Sequence, residues 1–459
     1  MIDIDSPPPV ALAGDWPADA DAVPALPAAP KTLRETGLEQ QLIVELIAKA
    51  IFLGGRSHLS SLASKLRLSL NVLREALAFM VAEQLAEVSW RGESDIDVQY
   101  QLSGVGKERA GAWLERRAYV GPAPVTLAAY HAQVERQSWR HPARARVSAA
   151  DIAAVYGADH LDAGVLQLLG AALYSGRSIF LHGPSGGGKT ALAAKLGLLL
   201  QGLVGVPYAV MVGQEIIQVH DPLLHPSLTP AQARLAPRGA DPRWALCQRP
   251  AIQIGAELSA DMLELRHDAF GGCYQAPPHF KANNGIFIID DLGRQRLPAA
   301  ELLNRFMQPL DAGHDQLSLR GGHKFTVPFD VVLVLVTNLA PAALLDDAFL
   351  RRLGYKIHLG ALDASAYRGL FRQQCRAMNL ACDEAALAYL LDTLHGAGDR
   401  PLLASHPREL LGRIVDFAGL SGAPARLTPA ALEQAWASMF ADCGVATQAN
   451  PACQYEKIA

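Results

Sequence analysis

Two stretches of the chain combine residue types that do chemistry together. The first, GPSGGGKT at Gly183–Thr190, fits the pattern G-x-x-x-x-G-K-[ST]. Gly183, Ser185, Gly186, Gly187 and Gly188 let successive backbone N–H groups turn inward around a phosphate, at the start of a helix whose dipole favours negative charge. Lys189 is spaced to reach β- and γ-phosphates, and the Thr190 hydroxyl to meet magnesium. The second stretch, IFIIDD at 286–291, drives four apolar residues into two adjacent carboxylates. A buried carboxylate without a partner costs several kcal/mol, so this strand end needs a cation. Asp290 and Asp291 are the two carboxylates that such a cation would serve.

These residues need a frame to hold them. The loop lies between an apolar strand, SIFLHG, and a helical stretch, TALAAKLGLLLQ, as phosphate binding requires. Four further short, apolar, β-branched runs read as strands buried on both faces: PYAVMVG, IFIIDD, VVLVLVTN and YKIHLG. Strands alternating with helices predict a parallel five-stranded sheet in an α/β core over 151–362. A helical segment follows over 363–445, and a polar tail over 446–459. Residues 220–251 lack a regular pattern and read as an insertion.

The phosphate loop paired with IFIIDD resembles the AAA+ ATPase family over roughly Asp151 to Gly444. The resemblance implies a P-loop NTPase core with a C-terminal helical lid, using ATP and magnesium. Further matches lie in VLVTN, DDAFLRRLGYKI and HPREL. They place Asn338 as sensor 1, Arg351 or Arg352 as the arginine finger, and Arg408 as the sensor 2 arginine. The segment 310–330, LDAGHDQLSLRGGHKFTVPFD, looks like the hairpin insert of MoxR-like branches, and IIDDLG resembles helicase loaders and initiators. Tyr156 is open between an adenine contact and a core residue. AFGG at 269–272 reads as a hairpin turn and not as a pore loop. An arginine finger implies a homo-oligomer, in this family usually a ring of six. The resemblance makes Asp290 the magnesium carboxylate and puts Asp291 where most of these ATPases carry a water-polarising Glu. Asp is shorter than Glu by about 1.5 Å, and misplacement near 1 Å costs about 100-fold in rate, so Asp291 is expected to orient the attacking water with slow or partner-stimulated hydrolysis.

Ahead of the core, Pro-, Ala- and Asp-rich residues 1–37 read as a disordered leader. Residues 38–122 give three helices, a hairpin around Arg91-Gly92-Glu93-Ser94 and a closing helix, a winged-helix-like α+β arrangement. Residues 123–150, with Arg136, Arg140, Arg144 and Arg146, read as a linker. From Leu38 to Val120 ten Lys/Arg stand against ten Asp/Glu, and Glu93, Asp95 and Asp97 sit on the wing. A DNA contact would use Asn71, Arg74 and Arg91, but neutral charge favours a protein client.

The whole chain points the same way. It has 459 residues and a net charge of −4, so no global drive toward nucleic acid or anionic membrane exists. Six scattered cysteines without a C-x-x-C pair indicate neither a zinc site nor a disulfide framework, and reduced thiols are expected. No apolar run approaches the ~20 residues that span a bilayer, and a cytoplasmic protein is expected. The resulting expectation is an ATPase that remodels or assembles a macromolecular partner. The competing readings are a DNA-directed ATPase, a nucleotide-gated scaffold and, more distantly, a small-molecule kinase.

Overall fold

The computed structural model describes residues 24–94, 96–141, 146–234, 237–344, 347–396 and 400–440. The expected tail, most of the expected leader, Asp95, Arg144, Cys443 and Cys453 lie outside the described residues. From the N-terminus the elements are α1 (Gln40–Gly54), β1 (Ser57–His58), α2 (Leu59–Leu66), α3 (Leu70–Ala82), β2 (Ala86–Arg91), β3 (Val98–Leu102) and α4 (Gly104–Arg116). Then come β4 (Val125–Thr126), α5 (Leu127–Arg136), α6 (Ala149–Tyr156), α7 (Ala163–Ser175), β5 (Ile179–His182) and α8 (Lys189–Lys195). They are followed by β6 (Leu203–Pro207), β7 (Ala209–Val212), β8 (Glu215–Gln218), α9 (Pro230–Ala233), β9 (Trp244–Gln248), β10 (Ala251–Ile254), β11 (Arg266–Asp268), β12 (Cys273–Gln275), α10 (Pro278–Lys281) and β13 (Gly285–Ile289). The chain continues through α11 (Ala299–Ala312), β14 (His314–Ser318), β15 (Lys324–Pro328), β16 (Val331–Thr337), α12 (Pro341–Leu344), α13 (Asp347–Arg352) and β17 (Tyr355–His358). It ends in α14 (Ala364–Ala377), α15 (Glu384–Tyr389), α16 (His406–Ser421) and α17 (Pro429–Phe440). Two compact units form: one holds residues up to Ile152 with Leu168–Leu181 and Thr190–Ile357, the other Ala153–Gln167, His182–Lys189 and the chain from His358.

The first unit is built around a five-stranded sheet in the order β10-β13-β16-β5-β17. β13 runs parallel to both neighbours, Ile286 beside Ala251 and Val332. The two-residue strand period puts Phe287, Ile289, Val331, Leu333 and Leu335 into one cluster with Leu302, Leu303 and Phe306 of α11. One expected strand belongs elsewhere. PYAVMVG forms β7 in a second, mixed sheet, β11-β12-β8-β7-β4, and the strand completing the parallel sheet is β10, AIQI. β10 begins at the last residue of the stretch read as an irregular insertion. It escaped notice because a polar Gln253 interrupts a four-residue run.

The second sheet packs against α5 and the β14–β15 hairpin around Tyr130, Val134, Ile217, Phe280, Leu317 and Val327. The first half of the region read as linker is thus β4 and α5. Tyr130 and Val134 are buried at helical spacing between polar residues, which hid the pattern. Arg140 serves this frame: it donates to Gly176 O (2.8 Å) and Val331 O (3.1 Å) and pairs with Asp330 at 3.2 Å. The end of the expected leader is held by its backbone and by Leu26 and Leu33, which pack on the cores. Asp241 N donates to Pro27 O (2.8 Å), Ala29 N to Gly239 O (2.8 Å), and Leu33 N to Glu75 Oε2 (2.8 Å).

The N-terminal helices surround Leu46, Ile47, Leu59, Leu73 and Leu77 beside a β1-β3-β2 sheet, and Ala209, Ile216 and Cys273 of the second sheet share that core. Lys49 is fully buried, and its pKa is lowered by burial, against which Glu45 at 2.9 Å acts. In the other unit, α14, α15, α16 and α17 enclose Tyr367, Phe371, Leu387, Leu410, Leu432 and Trp436. No helix of the described residues is long and apolar enough to cross a membrane.

A buried charge cluster ties α11 to the hairpin and α10. Arg305 forks onto Asp315 (2.6 and 2.9 Å), which also meets His279 Nε2 at 2.8 Å and accepts from the Gln316 N–H at 2.8 Å. Burial opposes ionisation of Asp315, but His279 and Arg305 overcome it and bring the carboxyl from 3.8 down to about 2. A depressed folded-state pKa gives stability that is complete above the unfolded value and lost as pH falls toward about 2. The Asp315→Asn protein should therefore lose roughly 3 kcal/mol at pH 7 and show a shallower stability decline between pH 4 and 2. Urea unfolding across that range checks both; an unchanged acid limb would contradict the assignment.

Candidate functional site

Asp290 follows the last residue of β13, and its position is fixed through the backbone. Its N–H donates to Ile254 O (2.8 Å), and Gln295 Nε2 donates to its carbonyl (2.8 Å). The carboxylate is buried, at 8 % exposure. Thr190 Oγ1 donates to Oδ1 at 3.3 Å, the Asp291 N–H to the same oxygen at 2.9 Å, and Gln253 Nε2 to Oδ2 at 3.0 Å. Thr190 and Asp290 are 100 positions apart, so this contact joins the two stretches that the sequence singled out. Among the described residues no group of three or more His, Cys, Asp or Glu is placed to hold a metal. A hydroxyl and a single carboxylate form a sparse, hard-oxygen set of the kind magnesium takes when substrate phosphates and water complete its shell.

Asp291 leaves the strand with φ 52°, a left-handed conformation that turns its side chain out of line with Asp290. Asn338, following β16, aims its amide nitrogen at Asp291 Oδ1 over 3.5 Å, the outer limit of a hydrogen bond. Leu292 N binds Val336 O (2.7 Å) and Thr337 Oγ1 binds Leu292 O (2.7 Å), so the two strand ends are stapled together. Adjacent carboxylates therefore have different surroundings. Asp290 is enclosed by donors, whereas Asp291 is half-buried and faces one amide.

The glycine loop is built in the second unit. Lys189 is buried, and its ammonium donates to Gly183 O (3.0 Å) and Pro184 O (2.7 Å). Gly183, Gly186 and Gly188 have φ of 144°, 83° and 87°. Ser405 N donates to Gly186 O (3.0 Å), so the residue just before α16 packs on the loop. Arg408, in the first turn of α16, is exposed. His182 enters the loop with its pKa lowered by burial, then by His358, whose ring lies 5.0 Å away, and by Lys189.

The two finger candidates differ. Arg352 is held by Asp311 of α11, Nε to Oδ2 at 2.5 Å. Arg351 is exposed and has no acidic partner among the described residues. Tyr156 is 1 % exposed. Residues 269–272 form the turn of the β11–β12 hairpin, Gly272 N to Asp268 O at 2.8 Å, with Phe270 95 % exposed. Sequence reasoning missed Gln253 and Gln295. The signal was available in Gln253, a polar residue inside an apolar strand at the register of Ile288.

A glycine loop after β5, with Asp290 after β13 and one strand between them, defines an α/β fold of the P-loop NTPase class. A family model described as a domain of unknown function, DUF8689, matches residues 363–438. None of the curated proteins matches the chain. Among solved structures the chain is similar to NtrX from Brucella abortus in complex with ATP, at 14 % identity and a TM-score of 0.38, covering 67 % of this chain and 60 % of that one. It is also similar to the RuvB Holliday junction branch migration motor of Thermotoga maritima, at 14 % identity and a TM-score of 0.33, covering 59 % of this chain and 67 % of that one. The chain thus spans about three fifths of the NtrX chain.

The loop's shape depends on missing side chains. A Cβ on Gly183 would stand 2.0 Å from Leu359 O at a φ that side chains avoid. Gly183→Ala should cost about 1–3 kcal/mol, whereas Gly321→Ala, which has open space around it, should fall within about 0.5 kcal/mol of wild type. Equal unfolding midpoints for the two variants would contradict this picture.

Proposed function

We propose that the protein is an AAA+ ATPase that binds Mg-ATP and hydrolyses it at subunit interfaces to remodel or assemble a macromolecular, chiefly protein, partner. The observation that carries the reading is the 3.3 Å contact between Thr190 and Asp290. It puts the residue after the loop lysine against the buried carboxylate, where one cation serves both.

In this reading Gly183, Ser185, Gly186, Gly187 and Gly188 cradle the phosphates through backbone N–H groups and Lys189 neutralises them. Bound magnesium supplies charge neutralisation at the phosphate oxygens. Asp290 and Thr190 hold it, and Gln253 orients Asp290. Asp291 positions the attacking water, with Asn338 orienting Asp291. Arg408 contacts nucleotide from the helical lid, for which we propose 363–445, with a core of 151–362. Arg351, free of the ion pair that engages Arg352, is the better finger. A finger acts in a neighbour's site, so the working form is a homo-oligomer, for which a hexameric ring is the family's usual geometry.

We assign partner docking to a winged-helix-like domain over 38–122. Its described surface exposes Phe52 (42 %), Leu53 (60 %), Trp90 (48 %) and Val105 (54 %), which supports a protein client over a duplex. A nucleotide-gated scaffold is a second reading, favoured by the short Asp291 side chain and its long contact to Asn338.

Phosphate release in Mg-ATP, with mass read by light scattering in the same samples, tests the reading. Wild type should turn over and oligomerise with ATP, and Lys189→Ala should lose both. Arg351→Ala should retain ATP binding and lose turnover by about 10³-fold, while Arg352→Ala keeps most of it. Oligomers that require ATP and Lys189 without phosphate release would select the scaffold. Undiminished hydrolysis by Lys189→Ala would sink both readings.

A further inference from the structure

A cavity of about 420 Å3 is lined by Arg67 after α2, Tyr208 before β7, His220 and His225, and residues of 237–247. That size falls within the range of small-molecule sites, about 300–1,000 Å3. Part of its wall is aromatic, and Arg67 brings a cation to it. The Arg67 guanidinium lies 5.1 Å over the Tyr208 ring. Tyr208 meets His220 at 5.0 Å, and His220 stacks on His225 at 5.4 Å and 18°. Trp244 also lines the cavity.

Several of these groups are not explained by the fold. Arg67 ends α2 in a left-handed conformation, φ 53°, which strains a residue with a side chain. It is exposed and makes no ion pair among the described residues. His225 is structural, taking a hydrogen bond from Asp221 N (2.9 Å) and giving one to Lys281 O (2.9 Å). His220 has no hydrogen-bond partner for its ring among the described residues. Burial, then His225, brings its pKa down to about 4, so at neutral pH one nitrogen donates and the other accepts.

The charges around the cavity suit an anion. Its acidic lining residue, Asp241, is already engaged by a fork from Arg243, at 2.7 and 3.0 Å to Oδ2. Asp221 pairs with Lys281 at 2.9 Å. Arg234 and Arg238 flank the lining residues Ala233 and Pro237, are exposed, and have no acidic partner among the described residues.

Stacking faces, a neutral imidazole that can read a polar edge, and unpaired guanidinium groups together match one chemistry. We propose that this cavity binds a nucleotide unit, its base against Tyr208 and His220 and its phosphate at Arg67. A free mononucleotide and an exposed nucleotide of a single strand share that chemistry. The site shares no residue with the phosphate loop, so the inference stands or falls apart from the ATPase reading.

The test uses the full chain carrying Lys189→Ala, which silences the loop. AMP is titrated by calorimetry and a labelled oligothymidylate by fluorescence anisotropy. At least one probe should saturate. Arg67→Gly, which removes the guanidinium and relieves the backbone strain, and His220→Ala should each weaken it about 10-fold or more, with melting temperatures kept. AMP binding alone assigns a free nucleotide. Binding of the oligonucleotide alone, falling steeply with salt, assigns a nucleic-acid strand. No binding of either probe at millimolar concentration, or affinities unchanged in both variants, would overturn the proposal.

Discussion

The structure depends on how one buried negative charge is accommodated. Asp290 is placed beyond the end of a strand whose five residues are all buried, and an isolated carboxylate there would cost several kcal/mol. Gln253, Thr190 and the Asp291 N–H, all neutral, approach its two oxygens within 3.3 Å. Neutral donors orient a carboxylate without cancelling its charge. That arrangement leaves the oxygens with net attraction for a cation, which is the physical basis for proposing magnesium there.

The same strand is fixed at its other end. Asn284, at φ 62° just before β13, donates to Val134 O (2.9 Å) and Asp330 Oδ2 (2.6 Å) and accepts from Gln137 (2.7 Å). Gln137 also exchanges two 2.9 Å bonds with Gly205. A short strand held at entry and exit cannot slide by two residues to a register that would move Asp290. The Val134 carbonyl of α5 and the Gln137 side chain just after it thus fix a strand that carries Asp290, though neither approaches that carboxylate.

The parallel sheet was legible because β13, β16 and β5 are largely apolar runs, and the glycine loop because its residue types stand at a fixed spacing. What sequence hid has physical reasons. β10 has four residues and a polar one that serves Asp290, so no periodicity marks it. α5 buries glutamine among its apolar residues and reads as polar. The leader's end is held by backbone hydrogen bonds and by the isolated apolar residues Leu26 and Leu33, too few to set a periodicity. Arg351 and Arg352 have the same sequence credentials, and only the position of Asp311 separates them. The cavity at Arg67 combines residues from four separated stretches and was invisible in a linear reading.

The central claim is that the two adjacent aspartates have separate tasks, one holding the cation and the other acting on water. The most direct measurement is the magnesium dependence of binding a fluorescent ATP analogue to Asp290→Asn and to Asp291→Asn. The account predicts that Asp290→Asn loses the gain in affinity that magnesium gives, while Asp291→Asn keeps it and fails only in turnover. If both variants lose that gain equally, or both keep it, the division of labour between Asp290 and Asp291 is wrong.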